Sequence, residues 1–201
     1  MAKDATRDTA WGPVEIHREA ARAAADALRS AGCPVELHEP NLPTYAPPGE
    51  GKRLAKKHKE ENPEYEWRGD SYLLLTDRLR LLEVARFLRD ELGYDMLIDA
   101  TAVDFDAADD HLWAVYQLLA LGRKTRLTLK TMVPKADCRI DSLVPVWPAA
   151  NWHEREAAEM FGIVYTGHPD PRPLLLPEDW VGHPLRKDYQ YPDEYHGISC
   201  K

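Results

Sequence analysis

Cysteine is scarce in this 201-residue chain, which has only Cys33, Cys138 and Cys200. The three are far apart in sequence, and none belongs to the C-x-x-C pair that is typical of iron–sulfur and zinc sites. An odd and sparse set also provides no disulfide framework, which agrees with a reducing compartment. We therefore expect this chain to hold no iron–sulfur cluster.

Long apolar runs and an excess of positive charge are also missing. No window approaches the roughly 18 apolar residues of a membrane span, and the first fifteen residues lack the apolar core of a secretory signal. The 34 acidic residues outnumber the 26 basic ones, so the net charge is −8. This balance disfavours nucleic acid as a partner. We expect a soluble protein, or one that is peripheral to a membrane through a partner.

The motifs of the common catalytic classes are incomplete. The string HEREA at 153–157 has alanine where the H-E-x-x-H zinc helix needs its second histidine. The string PPGEGKR at 47–53 lacks the first glycine of a phosphate-binding loop and has arginine in place of the required Ser or Thr. The sequence has no G-x-G-x-x-G and no G-x-S-x-G. By its own residues the chain looks like a protein without a catalytic centre.

Hydrophobic periodicity predicts the order of the elements in residues 1–149. Helical spacing occurs at 14–31 and 77–92, and strand-like runs occur at 35–38, 71–76, 95–105, 111–121 and 124–133. The last three strands are separated only by turn residues, which predicts a meander. The order predicts an α+β fold, a two-layer sandwich of a mixed β-sheet with the helices on one face. A charged, proline-rich excursion at about 39–70 is expected to lie on the surface.

Residues 150–201 are predicted to form a short helix and a long extended C-terminal tail. Asn151 is a candidate N-cap, with Glu154 three residues later as in a capping box, and Gly162 ends the helix. Residues 168–189, which we name the strap, contain five prolines and Trp180. Prolines forbid a long helix or a central strand, and the large apolar side chains argue against disorder. The strap is therefore expected to be ordered, extended and in contact with a surface.

The residues alone leave two interpretations of the strap histidines open. His168 and His183 could hold a metal ion together with Glu156 in a freestanding hydrolase, although their spacing resembles no common site. Alternatively, because each is followed directly by proline, their ring nitrogens bond backbone groups in tight bends. Arg155, placed among acids, suggests ion pairing rather than proton transfer.

The segment at 142–189 resembles the C-type subunit, also called the 30 kDa-type subunit, of the proton-pumping NADH-quinone oxidoreductase, respiratory complex I. The resemblance rests on Trp152, Glu154, Arg155, Glu156, Phe161, Gly162, His168, Asp170, Arg172, Trp180, His183, Pro184, Arg186, Lys187, Asp188 and Tyr189. The departures are modest, such as Ala158 where the family usually has an aromatic and Glu159 where Asp is common.

The resemblance implies a hydrophilic protein of the peripheral arm, at the cytoplasmic face of the bacterial plasma membrane. Such a protein holds no cofactor itself, because FMN and the iron–sulfur clusters lie in partner subunits. It packs chiefly on the large D-type subunit, which forms the quinone cavity with the B-type subunit. The same features fit the equivalent protein of a related membrane-bound hydrogenase or ferredoxin-dependent complex.

The resemblance also implies roles for the motif residues. We expect Trp152, Phe161 and Trp180 to be apolar anchors of an interface between subunits. The four cations of the motif are then expected to pair with acids, either inside the chain or on the D-type subunit; they are Arg155, Arg172, Arg186 and Lys187. The isolated chain is expected to be non-catalytic.

Overall fold

The computed structural model describes residues 14–39 and 71–199. Nearly all of the predicted surface excursion therefore lies outside the described residues. The helices are α1 (Val14–Ser30), α2 (Leu81–Asp90) and α3 (Ala150–Phe161). The strands are β1 (Val35–His38), β2 (Tyr72–Leu75), β3 (Met96–Val103), β4 (His111–Ala120), β5 (Thr125–Pro134), β6 (Arg139–Asp141), β7 (Val164–Thr166), β8 (Glu194–Tyr195) and β9 (Ile198–Ser199).

The first five strands form one mixed sheet in the order β1-β2-β5-β4-β3. The predicted meander is confirmed, because β3 pairs with β4 and β4 with β5 in antiparallel register. Strand β2 pairs with β5 in parallel and with β1 antiparallel. The alternation of β5 is also as predicted, since Leu127, Leu129 and Val133 are buried on one face of the sheet.

The helices cover the face of the sheet that carries these buried residues. Helix α1 presents Ala21, Ala24, Ala25 and Leu28, and helix α2 presents Leu81, Val84, Ala85 and Leu88, and all eight side chains belong to one core. Both sets follow helical spacing, so one stripe of each helix faces the sheet. Burial of each leucine stabilises the fold by roughly 2 kcal/mol. The predicted α+β fold with a mixed sheet and helices on one face is confirmed.

Helix α3 begins one residue before the predicted N-cap. A turn closes from Leu143 to Val146 and Trp147, and the amide of Ala150 then donates to the carbonyl of Trp147, so the chain enters the helix already coiled. Asn151 consequently lies inside α3, and the helix has no side-chain cap at its start. The predicted capping box is wrong. The predicted end is confirmed, because Gly162 has a φ of +77° and donates to Ala158.

Between β7 and the small β8–β9 hairpin, the chain at 167–193 has no helix or strand and alternates irregular stretches with turns. Turns close from Pro177 to Trp180, from His183 to Arg186 and from Arg186 to Tyr189, so this part of the tail is less extended than predicted. The hairpin reverses at His196 and Gly197, whose φ angles are +51° and +79°. These positive angles are typical of a tight two-residue hairpin turn. Within 14–39 and 71–199, no helix is both long and apolar enough to cross a membrane.

Candidate functional site: helix α3 and the strap

The carboxylate of Glu159 on α3 accepts three backbone N–H groups of the strap. Its oxygens lie 2.8 Å from the nitrogens of Leu175 and Leu176 and 3.4 Å from the nitrogen of Leu174. Hydrogen bonds to a charged acceptor are roughly twice as strong as neutral ones. Because the neighbouring prolines prevent regular strand pairing, this carboxylate supplies the acceptors that a sheet would otherwise provide.

The two strap histidines bond backbone groups. Nε2 of His168 donates to the carbonyl of Asn151 at 3.1 Å, and its Nδ1 accepts the amide of Asp170 at 3.0 Å. Nδ1 of His183 donates to the carbonyl of Glu159 at 2.9 Å. These contacts confirm the interpretation that the ring nitrogens bond backbone groups. Only Nδ1 of His168 does so within its own bend, whereas the other two bonds tie the strap to carbonyls of α3. In the described part of the chain, no three His, Cys, Asp or Glu side chains are grouped so that they could hold a metal ion.

The first part of the strap is also held by arginine contacts. Arg155 on α3 donates to the carbonyls of Arg172 and Pro173 at 2.8 and 2.9 Å, and its guanidinium lies 3.7 Å from Asp170. Arg172 grips Asp170 through two hydrogen bonds of 2.7 and 2.8 Å. The bonds from Arg172 lower the pKa of Asp170 to about 2. Arg155 therefore pairs with the strap rather than with exposed Glu156 beside it.

The end of the strap is bonded to the globular body. The amide of Lys187 donates to the buried carboxylate of Asp104 at 2.9 Å, and the ammonium of Lys135 lies 3.0 Å from the other oxygen of that carboxylate. Arg186 pairs with Asp188 at 3.2 Å. Of the four predicted cations, three thus have acidic neighbours within the chain, whereas the ammonium of Lys187 has no ion pair with any residue at 14–39 or 71–199.

Aromatic side chains close the strap onto itself. The hydroxyl of Tyr189 donates to the carbonyl of Val181 at 3.1 Å, and its ring lies against Gly182, where an added β-carbon would be 2.6 Å from a ring carbon. The hydroxyl of Tyr191 donates to the carbonyl of Pro184 at 3.3 Å. These contacts explain why a glycine stands at position 182, which also has a φ of +87°.

Further along, the hairpin covers Trp180. The ring centroid of Trp180 lies 5.3 Å from that of Tyr195 in the hairpin. The neighbouring Asp179 accepts the hydroxyl of Tyr195 at 2.7 Å and Nε2 of His196 at 2.8 Å. The hairpin and the strap therefore form one connected unit.

The predicted apolar anchors differ in exposure. Trp152 is 67% exposed, and Trp180 is partly buried under the hairpin. Phe161 is only 8% exposed and belongs to the core of this chain, so it offers no surface to a partner. The assignment of Trp152 and Trp180 to an interface stays a prediction.

Several residues of the site were not predicted from the sequence. Asp104 and Lys135 lie beside the β-strands and had no motif to mark them. Glu159 lies inside the family segment, but only as a departure from the usual Asp. The one available signal for Glu159 was that an acid follows Arg155 by one helical turn and faces the same side.

Several curated relatives of the chain carry the name of the C-type subunit of NADH-quinone oxidoreductase. The relative from Citrifermentans bemidjiense is 45% identical over 130 residues, covering 64% of this chain and 80% of the relative. The protein of that name from Geobacter sulfurreducens is 44% identical over 131 residues, with the same coverage. The one from Roseiflexus castenholzii is 46% identical over 125 residues, covering 61% of this chain and 71% of the relative.

The fold also has a counterpart among solved structures. A trypsin-resistant fragment (1–134) of Nqo5 superposes with a TM-score of 0.53 at 24% identity. The match covers 75% of this chain and 98% of that fragment. At this identity the likeness establishes the shared α+β fold.

A family model matches more than half of the chain, including the complete strap. The model describes the 30 kDa subunit of respiratory-chain NADH dehydrogenase, and it matches residues 74–195. This match confirms the resemblance that the motif at 142–189 suggested. The chain therefore belongs to the family of the 30 kDa subunit of respiratory-chain NADH dehydrogenase.

Proposed function

We propose that this chain is the C-type subunit of a proton-translocating NADH-quinone oxidoreductase and that it acts by packing on the large D-type subunit. In this role it holds no redox centre, and electrons pass from NADH to quinone through FMN and iron–sulfur clusters of partner subunits. The observation that carries the proposal is the family match over 74–195, which runs through the globular body and the whole strap.

The contacts of the motif residues support a structural rather than a catalytic role. Four side chains of the types that transfer protons or bind metal are engaged with backbone groups or with arginine: His168, His183, Asp170 and Glu159. A general acid or base needs a group that is free to exchange its proton with a substrate. The motif residues instead hold the strap against α3.

Exposed apolar side chains support an interface beside these contacts. Trp152 on α3 and Val181 in the strap are 67% and 83% exposed, although both belong to segments whose backbone is fixed. Both lie in the segment at 142–189 on which the family resemblance rests, and for this reason we place them, and not Leu121, in an interface. In the proposed complex these residues contact the D-type subunit, with the B-type subunit as a further neighbour, and the chain lies at the cytoplasmic face of the plasma membrane through the complex.

Affinity purification from the native cells tests the proposal. The tagged chain is expected to co-purify from detergent-solubilised membranes with flavin, iron–sulfur clusters and NADH-oxidising activity. Trp152→Ala should reduce this recovery, whereas Leu121→Ala should not. Leu121 is a control because it is 56% exposed and follows the end of β4 opposite to the end that lies beside Asp104.

Two results would contradict the proposal. Recovery of the chain alone, without membrane partners, would remove any role in a respiratory complex. Recovery with a complex that oxidises hydrogen or ferredoxin but not NADH would assign the chain to one of the related membrane-bound complexes instead.

A further inference from the structure

A cleft of about 210 Å³ lies between α3, β7 and the start of the strap. Its lining includes Glu154 and Arg155 of α3, Val164 and Tyr165 of β7, and His168 of the strap. Glu154 is completely buried and nevertheless borders this cleft. A small outward displacement of the wall opposite α3 would therefore bring water to its carboxyl group.

The carboxyl group of Glu154 has hydrogen-bond partners but no counter-charge. One of its oxygens lies 2.6 Å from the hydroxyl oxygen of Ser142, and the other accepts the amide of Leu143 at 2.6 Å. Among the described residues, no Lys, Arg or His side chain forms an ion pair with it. A buried carboxyl group without a counter-charge is more stable in its protonated, neutral form.

The titratable groups around Glu154 do not supply that counter-charge. Arg155 lines the same cleft, but it donates to two carbonyls of the strap and its guanidinium lies 3.7 Å from Asp170. His168 accepts the amide of Asp170 through Nδ1, which requires a neutral ring. The remaining groups are neutral or acidic; they are Tyr116 of β4, Tyr165 of β7, Asp141 of β6 and Cys138 before β6.

The two sides of the cleft are held with different strength. On the side of the body, the segment that bonds Glu154 carries Leu143 and Trp147, which are 0% and 3% exposed and belong to the core. On the other side, β7 has only three residues and forms a two-stranded sheet with the three-residue β6. Its first and last side chains are exposed. The wall formed by β7 and His168, which we name the outer wall, can therefore move without unfolding of the five-stranded sheet.

Tyr165 weakens the outer wall further. Its ring is buried, but its hydroxyl has no hydrogen-bond partner among residues 14–39 and 71–199. A buried polar group without a partner is costly, and an outward movement returns it to water. Opening of the outer wall therefore hydrates the hydroxyl of Tyr165 and the carboxyl group of Glu154 together.

We propose that the carboxyl group of Glu154 is a proton-controlled switch of the cleft: the bound proton keeps the outer wall closed on α3, and its loss favours an open state in which water reaches Glu154 while the five-stranded sheet stays folded. The switch does not rest on the proposed function. Burial raises the pKa of Glu154 in the closed state to about 7, whereas a hydrated carboxyl group titrates near the ordinary value of 4.5. The advantage of the closed state is therefore complete below pH 4.5 and is lost as the pH rises through 7.

Amide hydrogen exchange of the full chain under native conditions tests the switch. The amides of Val164 and His168 report on the outer wall, because they donate to the carbonyls of Cys138 and Tyr165. After correction for the intrinsic exchange rate, their protection should fall roughly 50- to 100-fold from pH 5 to pH 8, as linkage between the open and closed pKa values requires. Low concentrations of urea should leave this exchange nearly unchanged, because a local opening exposes little surface.

Glu154→Gln is the control for the proton. The amide has the same shape and keeps both hydrogen bonds but does not titrate. In this variant the protection of Val164 and His168 should be the same at pH 5 and pH 8.

Two tyrosine variants test which wall moves. Tyr165→Phe removes the unpartnered hydroxyl from the outer wall and should slow exchange at Val164 by about tenfold at either pH, because the closed state no longer buries that group. Tyr116→Phe is the matched control, since its hydroxyl is equally buried and has no partner in the described part of the chain, but it belongs to the sheet that stays folded. It should leave exchange at Val164 unchanged.

Several results would overturn the switch. Protection of Val164 and His168 that does not change between pH 5 and pH 8, or that changes equally in Glu154→Gln, would show that the proton on Glu154 does not control the outer wall. Exchange that depends on urea as steeply as that of the β4–β5 amides would show that Glu154 meets water only on global unfolding. Unchanged exchange in Tyr165→Phe would contradict an outward movement of β7.

Discussion

The carboxyl group of Glu154 lies 2.6 Å from the hydroxyl oxygen of Ser142 and 2.6 Å from the backbone nitrogen of Leu143. Glu154 is completely buried in α3. These two hydrogen bonds hold α3 against the segment that precedes it. Burial raises the pKa of Glu154 to about 7, against an ordinary value of 4.5, although the two hydrogen bonds oppose the shift.

This pKa predicts that stability depends on pH through Glu154. The folded chain retains the proton up to about pH 7, whereas the unfolded chain releases it near pH 4.5. The stabilising contribution is therefore complete below pH 4.5 and is lost as the pH rises through 7. The free energy of unfolding should fall by roughly 3 kcal/mol over this window because of this group. Urea unfolding between pH 5 and pH 8 measures the change.

Glu154→Gln provides the control for the pH dependence. The amide has the same shape, accepts from Leu143 and donates to Ser142, but it does not titrate. The variant should therefore show a flatter pH profile than the wild type. Equal slopes for the two proteins would show that Glu154 does not titrate in this range.

A second prediction concerns the buried pair of Asp104 and Lys135. The carboxylate is fully buried and the lysine side chain is 11% exposed. Asp104→Asn keeps an acceptor for the amide of Lys187 but leaves the ammonium without its counter-charge. Removal of one partner of a buried pair costs about 3–5 kcal/mol. We expect a loss near the lower end of that range in urea unfolding.

The double variant Asp104→Asn with Lys135→Met separates the charge from the packing. Replacement of both charges removes the uncompensated ammonium, so the double variant should be more stable than Asp104→Asn alone. If the loss of stability in the double variant equalled the sum of the losses of Asp104→Asn and Lys135→Met, the two side chains would not be coupled.

A third prediction uses two glycines that follow helix ends. Gly162 and Gly32 have φ angles of +77° and +76°. Alanine at either position costs about 1 kcal/mol, because L-residues disfavour this conformation. At Gly162 the new methyl would also lie 2.6 Å from the ring of His183, whereas at Gly32 the space is open. Gly162→Ala should therefore cost about 1–3 kcal/mol more than Gly32→Ala, as overpacking does.

Thermal or urea unfolding of both alanine variants measures the difference. The Gly162→Ala variant should also lose protection of the strap against proteolysis, because His183 can no longer lie on the helix end. Equal destabilisation of the two variants would indicate that the His183 ring moves aside without cost.

A fourth prediction concerns the carboxylate that holds the strap. Glu159→Ala removes the acceptor of three amides and should destabilise the chain by about 1–3 kcal/mol, since the amides are partly accessible to water. The amides of Leu174, Leu175 and Leu176 should then exchange faster with solvent. Glu156→Ala is the matched control, because Glu156 is an exposed acid on the same helix. Unchanged exchange in Glu159→Ala would mean that other contacts suffice to hold the strap.

The sequence predicted the layers of the fold better than the ends of its elements. The alternation in β5 and the apolar stripe of α2 are local patterns, and the structure has both. The prediction that Asn151 caps α3 used an equally local rule. The start of the helix is instead set by the turn at Leu143 and by the buried contacts of Glu154. A local cap is worth about 1 kcal/mol, and each of the two hydrogen bonds of Glu154, to Ser142 and Leu143, is worth about as much.

In the candidate site, too, local patterns were predicted and long-range contacts were not. The strap histidines had two open interpretations, because a histidine before a proline has no partner that the sequence can identify. His183 meets the carbonyl of Glu159, 24 positions away, and Lys187 meets Asp104, 83 positions away. Such pairs depend on the path of the chain.

By itself, the sequence determined the family and the α+β layering. Family motifs and the hydrophobic periods of 2 and 3.6 residues involve only residues that are close together in the sequence. Only the tertiary structure decided which charges pair, which motif residue is core and which is surface. The strap has no period, its prolines remove backbone donors, and its shape comes from side chains of α3 and the body. The contacts of the strap residues therefore depend on the tertiary fold and are not encoded in the local sequence.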